Sequence, residues 1–81
     1  MQVTIKLFAM LGEQLGATVK LDLPAAPTAA DIKPALQTAY PAVRQLLATA
    51  RLAVNQEFVE DDAQPISATD EIALIPPVSG G

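Results

Sequence analysis

The last two residues of the chain, Gly80 and Gly81, put a terminal carboxylate at the end of a segment with no side chains. Few other groups in the sequence could do covalent chemistry. There is no Cys and no His. That removes thiol and imidazole nucleophiles, disulfides and the usual zinc ligands, and no metal site is expected. Asp61, Asp62, Asp70 and Glu71 are separated by turn-forming residues and lack the alternating ligand spacing of a calcium loop, so they are expected to face solvent. Asn55 reads as turn chemistry rather than catalysis, because Asn tolerates the left-handed conformation.

The candidate site is therefore the run Pro76-Pro77-Val78-Ser79-Gly80-Gly81. Two prolines favour a stiff, polyproline-like start. Residues 76–81 reach at most about 20 Å. Glycine lacks a Cβ, so a carboxylate on Gly81 can enter a cleft too narrow for other residues. Taken alone, such an ending is an ordinary frayed terminus. Its meaning depends on how rigidly the preceding element holds its root.

That element is expected to be a strand over Glu71 to Ile75, with Ile72 and Leu74 inward. Gln2 to Phe8 alternates: Val3, Ile5 and Leu7 point to one face and Gln2, Thr4 and Lys6 to the other. Ala9 to Gly16 reads as an irregular or short helical link. Thr18 to Leu23 alternates again, giving an antiparallel partner for the first strand. A helix follows, with Ile32, Ala35, Leu36 and Ala39 as its apolar stripe. If Thr28 caps this helix, Pro34 lies past the first turn and should distort it; if Asp31 does, Pro34 is harmless. The first is preferred. Pro41 opens a second short helix, with Val43, Leu46, Leu47 and Ala50 apolar. Leu52 and Val54 carry a third strand, Asn55-Gln56 a turn, and Phe58-Val59 a short fourth strand.

The expected class is α+β: a mixed sheet of four or five strands packed on one main helix plus a short second helix. A ubiquitin-like β-grasp satisfies this order, with the first and last strands parallel in the middle. The expected division is a domain over 1–75 and an extended tail over 76–81. Phe8 and Ile75 fall on the parity opposite the core set. Together beside the tail exit they predict a partner-docking patch, which Phe58 either joins or leaves for the core. Lys6 and Arg51 read as solvated surface charges, with steering toward an acidic groove as the alternative.

The net charge of −4, from five Lys+Arg against nine Asp+Glu, disfavours nucleic acid, which requires clustered cations. No apolar run reaches the roughly 18–20 residues of a membrane span, and no basic-then-apolar leader opens the chain. A cytoplasmic location without membrane contact is the expectation.

The chain resembles the MoaD family of ubiquitin-like sulfur carriers, the small subunits of molybdopterin synthases, over its whole length. The resemblance rests on Lys6-Leu7-Phe8-Ala9 followed by Glu13 and Gly16, on Ala53-Val54-Asn55-Gln56, and on Asp70-Glu71-Ile72-Ala73-Leu74-Ile75-Pro76-Pro77-Val78-Ser79-Gly80-Gly81. The last run is the specific one. Gly12 and Pro34 depart from the pattern: some relatives carry a basic residue where Gly12 stands, and Pro34 falls within the family's helix.

The resemblance implies that the Gly81 carboxylate becomes an acyl-adenylate on a ubiquitin-activating-type (E1-like) enzyme that uses ATP and Mg²⁺, then a thiocarboxylate. It implies that the sulfur passes to a pterin precursor held by a large synthase subunit, in a 2:2 assembly. The chain itself would bind no cofactor and would be a non-catalytic subunit. Two alternatives share the same tail chemistry: a thiamin-pathway sulfur carrier, and a protein modifier that joins Gly81 to lysines. A passive interaction domain with an inert tail is the third.

Overall fold

A computed structural model describes residues 1–77. Five strands form one sheet: β1 (Gln2–Leu7), β2 (Thr18–Asp22), β3 (Arg51–Val54), β4 (Glu57–Phe58) and β5 (Ile72–Ile75). Their order across the sheet is β2-β1-β5-β3-β4. β1 and β5 pair in parallel, Ile5 opposite Ile72 and Leu7 opposite Leu74. β2 pairs antiparallel with β1, and β3 antiparallel with both β5 and β4. The fold is the β-grasp expected from the alternation.

Three short helices, α1 (Ala9–Leu15), α2 (Ile32–Ala39) and α3 (Arg44–Thr49), accompany the sheet. The inward residues of the strands pack with Leu11, Ile32, Leu36 and Leu47 in a single core. The alternation in β1 is complete, with Val3, Ile5 and Leu7 buried and their neighbours exposed. In β5, Ile72 and Leu74 are fully buried. No buried side-chain polar atom lacks a hydrogen bond among the described residues, so the core carries no polar desolvation cost.

The link between β1 and β2 is more regular than its sequence suggests. Phe8 stays extended (φ −116°, ψ 160°), continuing the β1 parity by one residue before α1 begins. Ala9 then takes φ 52°, a left-handed turn that costs a non-glycine residue roughly 1–2 kcal/mol. α1 passes so close to the end of β1 that a Cβ on Gly12 would lie 3.0 Å from the Leu7 carbonyl oxygen. The glycine therefore suits close helix–strand packing.

The difficulty at Pro34 resolves into a 3₁₀ turn. Thr28 does open the helical segment, through the turn Ala29–Asp31, and regular α-helix begins only at Ile32. The Asp31 carboxylate accepts the Thr28 backbone N–H at 2.8 Å, closing the turn. Pro34 thus falls in the first turn of α2, where an N–H has no intrahelical acceptor to lose. A second 3₁₀ turn, Pro41–Val43, leads into α3 with Pro41 at its first position.

Candidate functional site

β5 lies between β1 and β3, so the root of the tail is held on both sides. Pro76 is buried and Pro77 exposed, so the anchoring reaches a single residue beyond Ile75. The Val78, Ser79, Gly80 and Gly81 expectations lie outside the described residues.

The register sets which side chains surround that root. The Phe8 backbone N–H donates to the Leu74 carbonyl at 3.3 Å, which places Phe8 beside the end of β5. Ile75 stands opposite Arg51 on β3. One row further in, Lys6, Ala73, Ala53 and Phe58 stand side by side across four strands. All occupy the parity that points away from the core. Phe8 is 47% exposed and Phe58 45%, while Ile75 is half-buried.

Phe8, Phe58 and Ile75 line one shallow groove of about 220 Å³, floored by Ala53 and Ala73 and rimmed by Gln56 and Glu71. The groove exists because the floor residues are alanines: larger side chains would fill the space between the rings. Phe58, left between patch and core by the sequence, projects into this groove. The exposed aromatic side chains are thus gathered around one concave floor rather than scattered singly over the surface.

Sequence reasoning did not single out Ala53 and Ala73. Their signal was available, since small residues on the outward parity of central strands leave room for a partner.

Charged groups border the groove unequally. Lys6 donates to Glu71 at 3.2 Å. The Arg51 guanidinium lies over the Phe58 ring, its Cζ 3.7 Å from the centroid, a cation–π contact.

Asn55 proves to be more than a tolerated turn residue. Its φ is 53° and that of Gln56 is 69°, the pair of left-handed residues that a tight hairpin requires. Its side chain also clamps the entry to β5. Asn55 Oδ1 accepts the Glu71 N–H at 2.9 Å, and Asn55 Nδ2 donates to Asp70 Oδ1 at 3.2 Å. Asp70 Oδ2 in turn accepts the Ser67 N–H at 2.8 Å. The acidic residues at 70 and 71 are thereby used in turn and rim contacts.

Among the described residues there is no cluster of side chains able to hold a metal ion, and no helix is long and apolar enough to cross a membrane.

Comparison with known proteins gives a consistent result. The model of the ThiS family matches residues 5–81. The molybdopterin synthase sulfur carrier subunit of Dictyostelium discoideum is 41% identical, over 99% of this chain and 96% of that protein. Among solved structures, SAMP1 of Haloferax volcanii, a small archaeal modifier protein, superposes with a TM-score of 0.81 at 33% identity, covering both chains in full. A complex of subunits 1 and 2 of the molybdopterin-converting factor of Helicobacter pylori contains a chain with the same fold, at a TM-score of 0.72, 21% identity and full coverage of both chains.

Proposed function

The chain belongs to the ThiS family, and we propose that it is the sulfur carrier subunit of a molybdopterin synthase, working through the carboxylate of Gly81. The observation that carries this reading is the anchored tail root beside an exposed apolar groove. Docking at Phe8, Ile75 and Phe58 would fix where Pro76 leaves the body, and the short tail would then deliver its end to a set distance. The full-length similarity to a sulfur carrier subunit supports the same reading.

In this proposal an E1-like adenylating enzyme supplies the activation. A carboxylate is a poor electrophile. Attack of a Gly81 carboxylate oxygen on the α-phosphorus of ATP, with Mg²⁺ held by that enzyme, expels pyrophosphate and leaves an acyl-adenylate. Sulfide-level sulfur released by a donor then attacks the acyl carbon, AMP leaves with the bonding electrons, and the C-terminal thiocarboxylate results. The thiocarboxylate is a nucleophile that requires no cysteine in this chain.

The large synthase subunit would hold the pterin precursor and accept the sulfur, in a 2:2 assembly. The small subunit contributes position, and position alone can supply a large part of a rate enhancement. The groove and tail take no cofactor of their own in this scheme, and the cytoplasm is the compartment proposed.

Intact-mass spectrometry after co-expression with the activating enzyme tests the proposal. The expected product is heavier by the difference between one sulfur and one oxygen, with the change confined to the C-terminal peptide. An unmodified mass under conditions that load an authentic carrier would overturn it.

Similarity to SAMP1 favours one further reading, in which Gly81 is joined to protein lysines. The same experiment separates the two, because conjugates appear as larger species in which the C-terminal segment of this chain is joined to a lysine through an isopeptide bond.

A further inference from the structure

Two cations border the groove, and they differ in what they face. Lys6 is already paired with Glu71 at 3.2 Å. Arg51 has no carboxylate within ion-pair distance among the described residues. Its guanidinium is stacked on Phe58, with Cζ 3.7 Å from the ring centroid. Stacking covers a face of the guanidinium plane and restrains the side chain, while its N–H donors point outward in the plane. A fork restrained in this way is prepared to take a carboxylate through two parallel hydrogen bonds.

Its location gives that preparation a use. Arg51 stands directly across from Ile75, the final residue of the strand that carries the tail. Phe58, on which it stacks, is a wall of the apolar groove. The whole chain carries a net charge of −4, so an acidic partner is repelled by most of the surface and attracted at this place.

Resting on the sulfur-carrier reading, we infer that Arg51 receives a carboxylate of the protein that grips the tail. That carboxylate stands next to an apolar side chain seated over Ala53 and Ala73. The two contacts have different tasks. An apolar anchor alone leaves the domain free to turn about the anchor. Adding a bidentate ion pair beside the tail root fixes that rotation and therefore the direction in which Pro76 and Pro77 leave the body. Electrostatic complementarity of this kind contributes orientation and specificity beyond raw affinity.

The test is a titration of the purified large synthase subunit with wild-type chain and with Arg51→Gln, Arg51→Lys and Arg51→Glu, at low and at high salt. Urea melts verify that each variant is folded. Arg51→Gln is expected to bind about tenfold more weakly or worse and to lose much of the salt dependence of the wild type. Arg51→Lys should recover only part of the loss, because an ammonium cannot form the fork. Arg51→Glu should be the weakest.

Phe58→Leu keeps an apolar wall but removes the stack, and should lower affinity while leaving the salt dependence in place. Wild-type affinity and salt slope in folded Arg51→Gln would overturn the inference, as would full recovery in Arg51→Lys. Intact masses of the same variants after loading keep this separate from the wider proposal. A chain that is thiocarboxylated normally yet binds independently of residue 51 overturns the role of Arg51 alone. A wild-type chain that is neither loaded nor bound overturns both.

Discussion

Replacing Phe8 with alanine should damage docking more than folding, and the exposure of the ring sets the size of the effect. Phe8 is 47% exposed in the free chain. A phenylalanine side chain presents roughly 200 Å², so roughly 95 Å² remains for a partner to cover. At about 25 cal/mol per Å² this amounts to about 2 kcal/mol of binding, or about thirtyfold in Kd.

The covered half of the ring already packs on the domain. Its removal should cost about 1–2 kcal/mol of stability, less than the 3–5 kcal/mol typical of a fully buried phenylalanine. Phe58→Ala, at 45% exposure, should behave alike. The double variant should lose less than the sum, since both rings wall one groove.

Isothermal titration against the large subunit measures the first quantity and urea unfolding the second. Leu36→Ala provides the contrast. Leu36 is fully buried in the core, so it should lose about 2–5 kcal/mol of stability with affinity unchanged for the folded fraction. Unchanged affinity of Phe8→Ala together with a stability loss as large as that of Leu36→Ala would show that Phe8 serves the core and that the groove is not the docking site.

Deleting Gly81, or adding one residue after it, should abolish sulfur transfer while the urea midpoint stays within error. Full activity from an extended chain shown by mass to be uncleaved would contradict this. Gly80→Val should slow adenylation or transfer, since it adds a Cβ where a narrow cleft must close on the backbone; normal turnover with both partners would remove the case for such a cleft. Asn55→Ala should destabilise the domain by roughly 2–4 kcal/mol, by losing two hydrogen bonds and placing alanine at a left-handed φ. Asn55→Gly should lose distinctly less, because the backbone strain is absent, and equal losses in chemical denaturation would show that the φ requirement is unimportant.

The regions of the fold visible in the sequence are those with one buried face. β1 shows the two-residue period, and β5, apolar throughout and buried at Ile72, Ala73 and Leu74, shares that parity through the pairing of Ile5 with Ile72 and Leu7 with Leu74. That period carries Phe8 and Ile75 to the outward side, and Phe8 keeps it because its backbone is still extended.

α1 is legible in the sequence only as a link, for a physical reason. Its N-cap residue Phe8 makes no side-chain cap, its first turn has no acid and its last turn no base. Gly12 lowers its propensity further, and Leu11 is its one buried residue. Tertiary packing holds it, and packing of that kind leaves no local pattern.

The conflict between Thr28 and Pro34 is visible in the sequence, but its resolution is not, because a 3₁₀ turn and an α-turn share the same capping residues. The stack of Arg51 on Phe58 depends on strand register across the β3–β4 hairpin, which parity alone does not supply. The Asn55 clamp on β5 joins residues brought together only by the pairing of β3 with β5.

Single-turnover sulfur transfer is the most direct test of what the tail does. Chain carrying the Gly81 thiocarboxylate is mixed with the large subunit and the pterin precursor, and the C-terminal mass and the sulfur content of the pterin are followed together. The proposed function predicts that the thiocarboxylate returns to carboxylate at the rate at which sulfur enters the pterin, with two chains consumed for each dithiolene formed. A thiocarboxylate that persists while the large subunit and precursor are bound, or that disappears into lysine conjugates without sulfur entering the pterin, would contradict it.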